Sequence, residues 1–320
     1  MRFFVRQGEK FAHLSNTFFC EYGFKKLCGT VLTVPRVFRV FMKKINVKKK
    51  RVFIIAGIVL VAVFLCIAAD LRLTVTSYTV ETNKVKGLIK IALISDLHSC
   101  FYGKNQKDLI SEINEQNPDI ILMSGDIAHD KPPHNGAVKL LDGISGRYKC
   151  FYVIGNHEVW SGEADLIKEL FQERNITVLE GESKVVEVSG QFINICGVED
   201  PEIGETEFEI QLESAFDSIN TDLYTVLLFH RPERFEQIAE YEFDITLSGH
   251  AHGGQWRLPY ISDGFYSPNQ GFFPKYTGGI YCFNGKKMLV SRGLSRMRPP
   301  VPRLFNPPEL VIINIVPADD

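Results

Sequence analysis

None of the seven cysteines in this 320-residue chain forms a Cys-x-x-Cys pair, which removes zinc-ribbon frameworks from consideration. Cys150 and Cys196 fall inside apolar, strand-like runs, where a thiol packs as a small buried hydrophobe. Pairing among Cys100, Cys150, Cys196 and Cys282 is left open by their spacing. No internal repeat recurs, so a solenoid or repeat array is excluded. With 45% hydrophobic and 23% charged residues, the chain also lacks the composition of a disordered protein. It has almost no net charge either, but the value of −2 conceals a steep asymmetry.

Residues 1–51 carry 13 Lys/Arg against 2 Asp/Glu, whereas residues 70–320 carry 23 against 36. The basic block abuts Val52–Ala69, 18 residues without a charge. At ~1.5 Å per residue this run covers roughly 27 Å, the thickness of a bilayer core. The sequence therefore predicts a transmembrane anchor over 52–69, with a membrane as the partner of the basic arm and no nucleic acid. The fifty residues ahead of the run argue against a cleaved signal peptide, and Val63-Phe64-Leu65 before Cys66 is no lipobox. The positive-inside rule places the N-terminus in the cytoplasm and residues 70–320 on the extracytoplasmic side. Within the basic arm, Val31–Lys44 alternates apolar and basic residues, as either a surface amphipathic helix or a solvated tail would.

Beyond a short connection after Asp70, strand-like and helix-like runs alternate. Strands are predicted at Ile89–Ser95, Asp119–Ser124, Cys150–Ile154 and Ile176–Leu179, with helices at Asn105–Gln116, Ala137–Ile144 and Ala164–Arg174. Such alternation implies an α/β fold with a largely parallel first sheet. Ser189-Gly190 between Lys184–Val188 and Phe192–Val198, and Asn284-Gly285 between Ile280–Phe283 and Lys287–Val290, are hairpin signals. A helix over Glu207–Ile219, strands at Thr225–Phe229 and Ile245–Leu247, and a last strand at Leu310–Ile315 complete the reading. They suggest a second, more antiparallel sheet packed on the first.

Five short segments end apolar runs: Asp96-Leu97-His98, Gly125-Asp126, Gly155-Asn156-His157-Glu158, His230, and Gly249-His250-Ala251-His252. Five of the eight histidines lie in these blocks. Two carboxylates, an amide oxygen and several imidazoles make a ligand set for two divalent metals, and Mn, Fe and Zn all suit mixed N/O donors. Asp96 and His98, at i and i+2, would project the same way from an extended backbone, as would His250 and His252. Two divalent ions against two carboxylates leave a net positive site for a phosphate ester.

These blocks, in order over residues 89–255, resemble the calcineurin-like metallophosphoesterase superfamily. Gly249-His250-Ala251-His252-Gly253-Gly254-Gln255, Ser291-Arg292-Gly293-Leu294 and Pro307-Pro308-Glu309 further resemble its membrane-associated bacterial branch, which includes wall-associated phosphoesterases and the UDP-2,3-diacylglucosamine pyrophosphatase. The resemblance implies one metal on Asp96, His98, Asp126 and His252, and a second on Asp126, Asn156, His230 and His250. It implies that His157 is the catalytic histidine, protonating the leaving oxygen or stabilising phosphoryl charge. One block departs from the family's Gly-Asp-x-x-Asp: here Gly125-Asp126-Ile127-Ala128-His129-Asp130 carries one extra residue, so His129 faces substrate or simply occupies an exposed loop.

Three arginines beside the motifs, Arg231, Arg257 and Arg292, could meet a second phosphate, Arg231 foremost. Trp160 either lines the pocket or anchors the core. The stretch 256–276, rich in aromatics, Pro and Gly, is an apolar lip, a membrane-docking surface or a self-packed mini-core. The expectation is thus a basic arm (1–51), an anchor (52–69) and one α/β/β/α four-layer catalytic domain (71–320). That domain would cleave a phosphodiester or pyrophosphate bond in a lipid-linked or envelope substrate. The alternatives are a phosphomonoesterase on small soluble substrates, a single-metal hydrolase, or a non-catalytic scaffold of the same fold.

Overall fold

Alternate residues of the first apolar strands serve two different cores. The computed structural model describes residues 47–217, 219–296 and 302–318; the segment Val31–Lys44 and the rest of the arm to residue 46 lie outside them. Two compact units are distinguished, Met1–Phe64 and Leu65–Asp320. Helix α1 (Val47–Ala68) holds the apolar run, and within it Lys49–Ala68 has a mean hydropathy of 2.8. Among the described residues it is the one helix long and apolar enough to cross a membrane.

The elements that follow are β1 (Thr74–Thr82), β2 (Ile89–Ile94), α2 (Lys107–Gln116), β3 (Ile120–Ser124), α3 (Asn135–Ile144), β4 (Lys149–Val153), α4 (Asn156–Trp160), α5 (Ala164–Gln172), β5 (Thr177–Val178), β6 (Glu182–Val188) and β7 (Gln191–Gly197). Then come α6 (Glu205–Ser214), β8 (Tyr224–Leu228), α7 (Phe235–Ile238), β9 (Ile245–Ser248), β10 (Tyr266–Ser267), β11 (Gly271–Phe272), β12 (Gly279–Phe283), β13 (Lys286–Val290) and β14 (Glu309–Pro317).

The first sheet has the order β1-β14-β2-β3-β4-β5, parallel except where β14 meets β2. Strand β1 replaces the expected connection. Its sequence, TVTSYTVET, has too few apolar residues for a core run. Its threonines and valines nonetheless favour extended backbone, and nine residue pairs with β14 hold it at the sheet edge.

The second sheet, β12-β13-β9-β8-β7-β6, corrects the antiparallel expectation: β13–β9, β9–β8 and β8–β7 are all parallel, and only the two edge hairpins are antiparallel. The physical reason is connection length. Strands β7, β8 and β9 are joined through α6 and α7, and such crossovers return the chain in the same direction.

Ile91 and Leu93 pack with Leu122, Ile195, Val226 and Leu247 in a core drawn from both sheets. Their neighbours Ala92 and Ile94 face the other way, onto Leu109 and Ile113 of α2, Leu140 and Leu141 of α3 and Phe171 of α5. On the far side of the second sheet, Leu227, Met288 and Val290 meet Phe208 and Leu212 of α6 and Phe235 and Ile238 of α7. Cys150 and Cys196 are buried free thiols among the described residues, and burial raises both pKa values to about 12. We expect Leu247→Ala, in the two-sheet core, to cost about 2–5 kcal/mol in urea unfolding. Ile210→Ala, exposed on α6, should change stability by no more than about 0.5 kcal/mol; equal losses would overturn this placement of the core.

Candidate metal centre

Each motif block begins where a strand ends: Asp96 after β2, Asp126 after β3, Asn156 after β4, His230 after β8 and His250 after β9. Backbone bonds lace these loops together. Asp96 N–H donates to Gly125 O (3.1 Å), His98 N–H to Asp126 O (2.9 Å) and Gly249 N–H to His230 O (3.1 Å). The carboxylates extend the lacing. Asp126 Oδ1 accepts from His157 N–H at 2.9 Å, and the Asp96 carboxylate accepts from His250 N–H at 3.0 and 3.1 Å. A side chain at Gly249 would put its Cβ 1.8 Å from Ser95 Oγ and 2.3 Å from Asp96 Oδ2, so only glycine lets these loops approach.

The expected extended geometry of the paired motifs is not what forms. Asp96 (φ 52°), His98 (46°), Asp126 (56°), His250 (64°) and His252 (48°) are all left-handed. Each such non-glycine residue costs on the order of 1–3 kcal/mol. The lacing bonds supply the constraint that holds them there.

All the charged and imidazole positions converge. Asp96, His98 and His252 form one group whose ligand atoms lie within 4.8 Å of one another; His98, Asp126 and His157 form a second, and Asp126, His230 and His250 a third. Asn156, at the start of α4, is buried with Oδ1 lacking any hydrogen-bond partner, as befits an oxygen reserved for a cation. His230 Nδ1–H donates to the Ser124 carbonyl at 2.6 Å, leaving Nε2 3.2 Å from Asp126 Oδ2. His250 Nε2–H donates to Asn269 Oδ1 at 2.9 Å, leaving its Nδ1 as the lone-pair nitrogen. Such outer bonds set the tautomer of a metal-binding imidazole.

Burial opposes ionisation of Asp126, yet His230, His98 and His157 hold its carboxyl well below the usual carboxylate range. Burial would also lower His230, but Asp126 overrides it and raises the pKa to about 10. His250 moves the other way, held neutral by burial and by the charge of His230 and Arg231. In the absence of metal, a proton between Asp126 and His230 thus stands in for a cation, and the donor set fits divalent metal ions.

Glu158 has a role that motif reading did not assign. It is fully buried and accepts from three backbone N–H groups: Asp126 (2.9 Å), Ala128 (2.8 Å) and Gly155 (2.9 Å). The signal was present, since an acidic residue in a helix's first turn after Gly is an N-terminal capping pattern. Burial, with Asp126 close by, raises its pKa to about 8.

The expected second-phosphate arginines are otherwise engaged. Buried Arg231 bonds Asp200 through Nε (2.7 Å) and Nη2 (2.8 Å) and also meets Glu202. Arg292 pairs with Glu309 and Arg257 with Asp263. Burying a guanidinium demands carboxylate partners, which removes Arg231 from substrate. Trp160 is no core anchor: it is exposed, with its ring 4.9 Å from that of His157. The extra residue before Asp130 does not remove that carboxylate from the site. Asp130 Oδ1 lies 3.7 Å from His157 Nδ1 and also pairs with His129. His129 stays at the rim, its ring 5.9 Å from that of His157.

A family model described as calcineurin-like phosphoesterase matches residues 89–254, the span that holds every residue of the three candidate ligand groups. The chain belongs to that family. It is 31% identical to an uncharacterized metallophosphoesterase of Aquifex aeolicus over 251 residues, 76% of this chain and 92% of that one. It is 28% identical to phosphodiesterase YaeI of Escherichia coli over 235 residues, 71% of this chain and 82% of that one. Against an uncharacterized metallophosphoesterase of Campylobacter jejuni it is 30% identical over 249 residues, 75% of this chain but only 63% of that protein. This calcineurin-like phosphoesterase is a metal-dependent phosphoric ester hydrolase.

Replacing Glu158 with Gln sets amide hydrogens against backbone N–H donors. We expect Glu158→Gln to lose about 1–3 kcal/mol of stability by thermal unfolding and to weaken metal retention; unchanged melting would refute the clasp role. Because His230 holds a proton up to about pH 10, a cation taken up at this histidine would have to expel it. Metal affinity should therefore fall as pH is lowered and rise towards alkaline pH, with proton release in calorimetry; a pH-independent affinity contradicts the assignment.

Proposed function

We propose that this metallophosphoesterase is membrane-anchored, dinuclear, and specific for a phosphodiester or pyrophosphate bond in a lipid-linked or envelope substrate. The observation that carries the proposal is the chaining of three ligand groups through shared residues: His98 belongs to two of them and Asp126 to two. A single ion would need only one such group, so the overlap favours two. We assign one ion to Asp96, His98, Asp126 and His252, and the other to Asp126, Asn156, His230 and His250. When bound, the ions supply Lewis-acid polarisation of the phosphoryl oxygens and acidify a water.

The chain's own residues do the rest. His157 holds the proton destined for the leaving oxygen, and the Asp130 carboxylate 3.7 Å from Nδ1 places negative charge beside its ring. Trp160, stacked edge-on against His157, shields that proton from bulk water.

The membrane reading rests on the uncharged run of α1 and its basic flank, which favour a basic arm (1–51) in the cytoplasm, an anchor (52–69) and an extracytoplasmic catalytic domain (71–320). Within that domain the three cores favour four α/β/β/α layers. Lipid-linked or envelope substrates follow from the anchor and from the likeness to the membrane-associated branch. Diesterase over monoesterase activity draws on the phosphodiesterase among the relatives.

The test is a metal-by-substrate matrix on the detergent-solubilised full chain, spanning monoesters, diesters, nucleotide sugars and lipid phosphates. We expect two ions per chain, and a fall in kcat of about 10²–10⁴ for His157→Ala and at least as large for Asp126→Asn. One ion per chain supports the single-metal hydrolase; bound metal without hydrolysis supports the scaffold. Brisk cleavage of soluble esters with none of lipid phosphates removes the lipid reading.

A further inference from the structure

The aromatic stretch that follows His252 is tied both to the distant end of the apolar helix and back to a histidine of the preceding motif. Its inner residues form a small cluster around Phe265, which stacks on Trp256 (5.3 Å) and meets Phe272 and Phe273 edge-on. Its outer residues do not join that cluster fully: Tyr260 is 107% exposed, Ile261 81%, Phe273 71% and Phe272 66%. Tyr260 touches almost nothing, so self-packing leaves the apolar rim unexplained.

One tie runs to the end of the apolar helix. The Trp256 indole donates to Pro302 O (2.9 Å), Arg257 N–H to Leu304 O (2.9 Å) and Phe305 N–H to the Ala68 carbonyl (2.7 Å). Ala68 is the last residue of α1, and only Ala69–Leu73 separate it from β1. Five residues span at most roughly 18 Å even when fully extended. The other tie runs to the metal ligands, through Asn269 Oδ1 and His250 Nε2 at 2.9 Å. The rim's charge offers no obstacle to an apolar phase, because residues 256–273 contain one basic and one acidic residue, Arg257 and Asp263, and these pair at 3.1 Å.

We propose that residues 256–273 are an interfacial docking surface that seats in the bilayer spanned by α1, bringing the metal centre to headgroup level. This rests on the anchor reading above and adds where the catalytic edge faces. Amphipathic rims of aromatic residues partition into the headgroup–acyl boundary, and a bilayer is the one occupant that the tether through Ala68 keeps permanently within reach. A phosphate ester in that bilayer then meets the metals without leaving it, and the Asn269–His250 bond links the seated loop to a ligand.

The test uses the full chain in phosphatidylcholine/phosphatidylglycerol proteoliposomes. Benzoylphenylalanine at position 273 should crosslink phospholipid about tenfold more than at Phe192, which is exposed on the β6–β7 hairpin at the far edge of the second sheet. Tyr260→Asp with Phe273→Asp should cut kcat/KM on a bilayer-embedded phosphodiester about tenfold and leave hydrolysis of soluble bis(p-nitrophenyl) phosphate unchanged. Equal crosslinking at 273 and 192, or equal losses on both substrates, overturns the docking surface. Carbonate extraction reads the anchor separately: a chain that resists extraction yet crosslinks no lipid at 273 refutes docking alone. Lipid crosslinking in a chain that cleaves no diester or pyrophosphate instead sinks the proposed function and upholds docking.

Discussion

A carboxylate buried among imidazoles is the constraint on which this molecule is organised. Asp126 is fully buried, accepts from the His157 backbone through Oδ1 and faces His98 and His230 through Oδ2. An isolated buried carboxylate is prohibitively costly, so positive charge must be supplied at that point. Without metal, protonated His230 supplies it; with metal, cations would do so more strongly. Five strand ends, from both sheets, have to meet around this one side chain. The sheet order, the glycines at loop contacts and the left-handed backbone at five site residues can each be understood as conditions for that meeting.

Convergence of this kind is expensive to hold, and the lacing shows how it is held. Bonds between loops run from backbone to backbone or from backbone to carboxylate, so the geometry depends little on side-chain rotamers. Glu158 is central to this arrangement. Its two oxygens bind three N–H groups on two loops and join the start of α4 to the Asp126 turn. Arg231 does similar work further out, where Asp200 and Glu202 close the loop after β7 against the turn after β8. Residues that look like substrate contacts in a motif can thus be the girders behind it.

The legible and illegible parts divide along physical lines. The clustering of these Asp and His side chains was foreshadowed in the sequence because the donor types are chemically restricted and each follows an apolar run, a local signal. The centre of the first sheet was legible for the same reason: β2, β3 and β4 are largely buried and read as mostly apolar runs, whereas β14, which the sequence grouped with the second sheet, pairs with β2. Strand β1 was hidden because an edge strand needs only one partner and little apolarity. The direction of β8 and β9 was hidden because parallel pairing is decided by where a crossover returns, a non-local fact. The fates of Arg231 and Trp160 depended on partners far away in sequence, and no local pattern distinguishes a guanidinium waiting for phosphate from one already held by Asp200.

The rim after His252 joins these two kinds of information. Its aromatic composition is local and was visible, but composition alone could not choose among a lip, a mini-core and a docking surface. The structure shows that Phe265 makes the mini-core and that the outer residues are left over from it. What makes the remainder interpretable is connectivity: Leu304 and Phe305 tie the rim to Ala68, and Asn269 ties it to His250. A loop held at both points cannot be displaced without disturbing either the exit of the apolar helix or the tautomer of a metal-facing histidine. The exit of the apolar helix and the setting of His250 in the candidate metal centre are therefore coupled through one short stretch of chain.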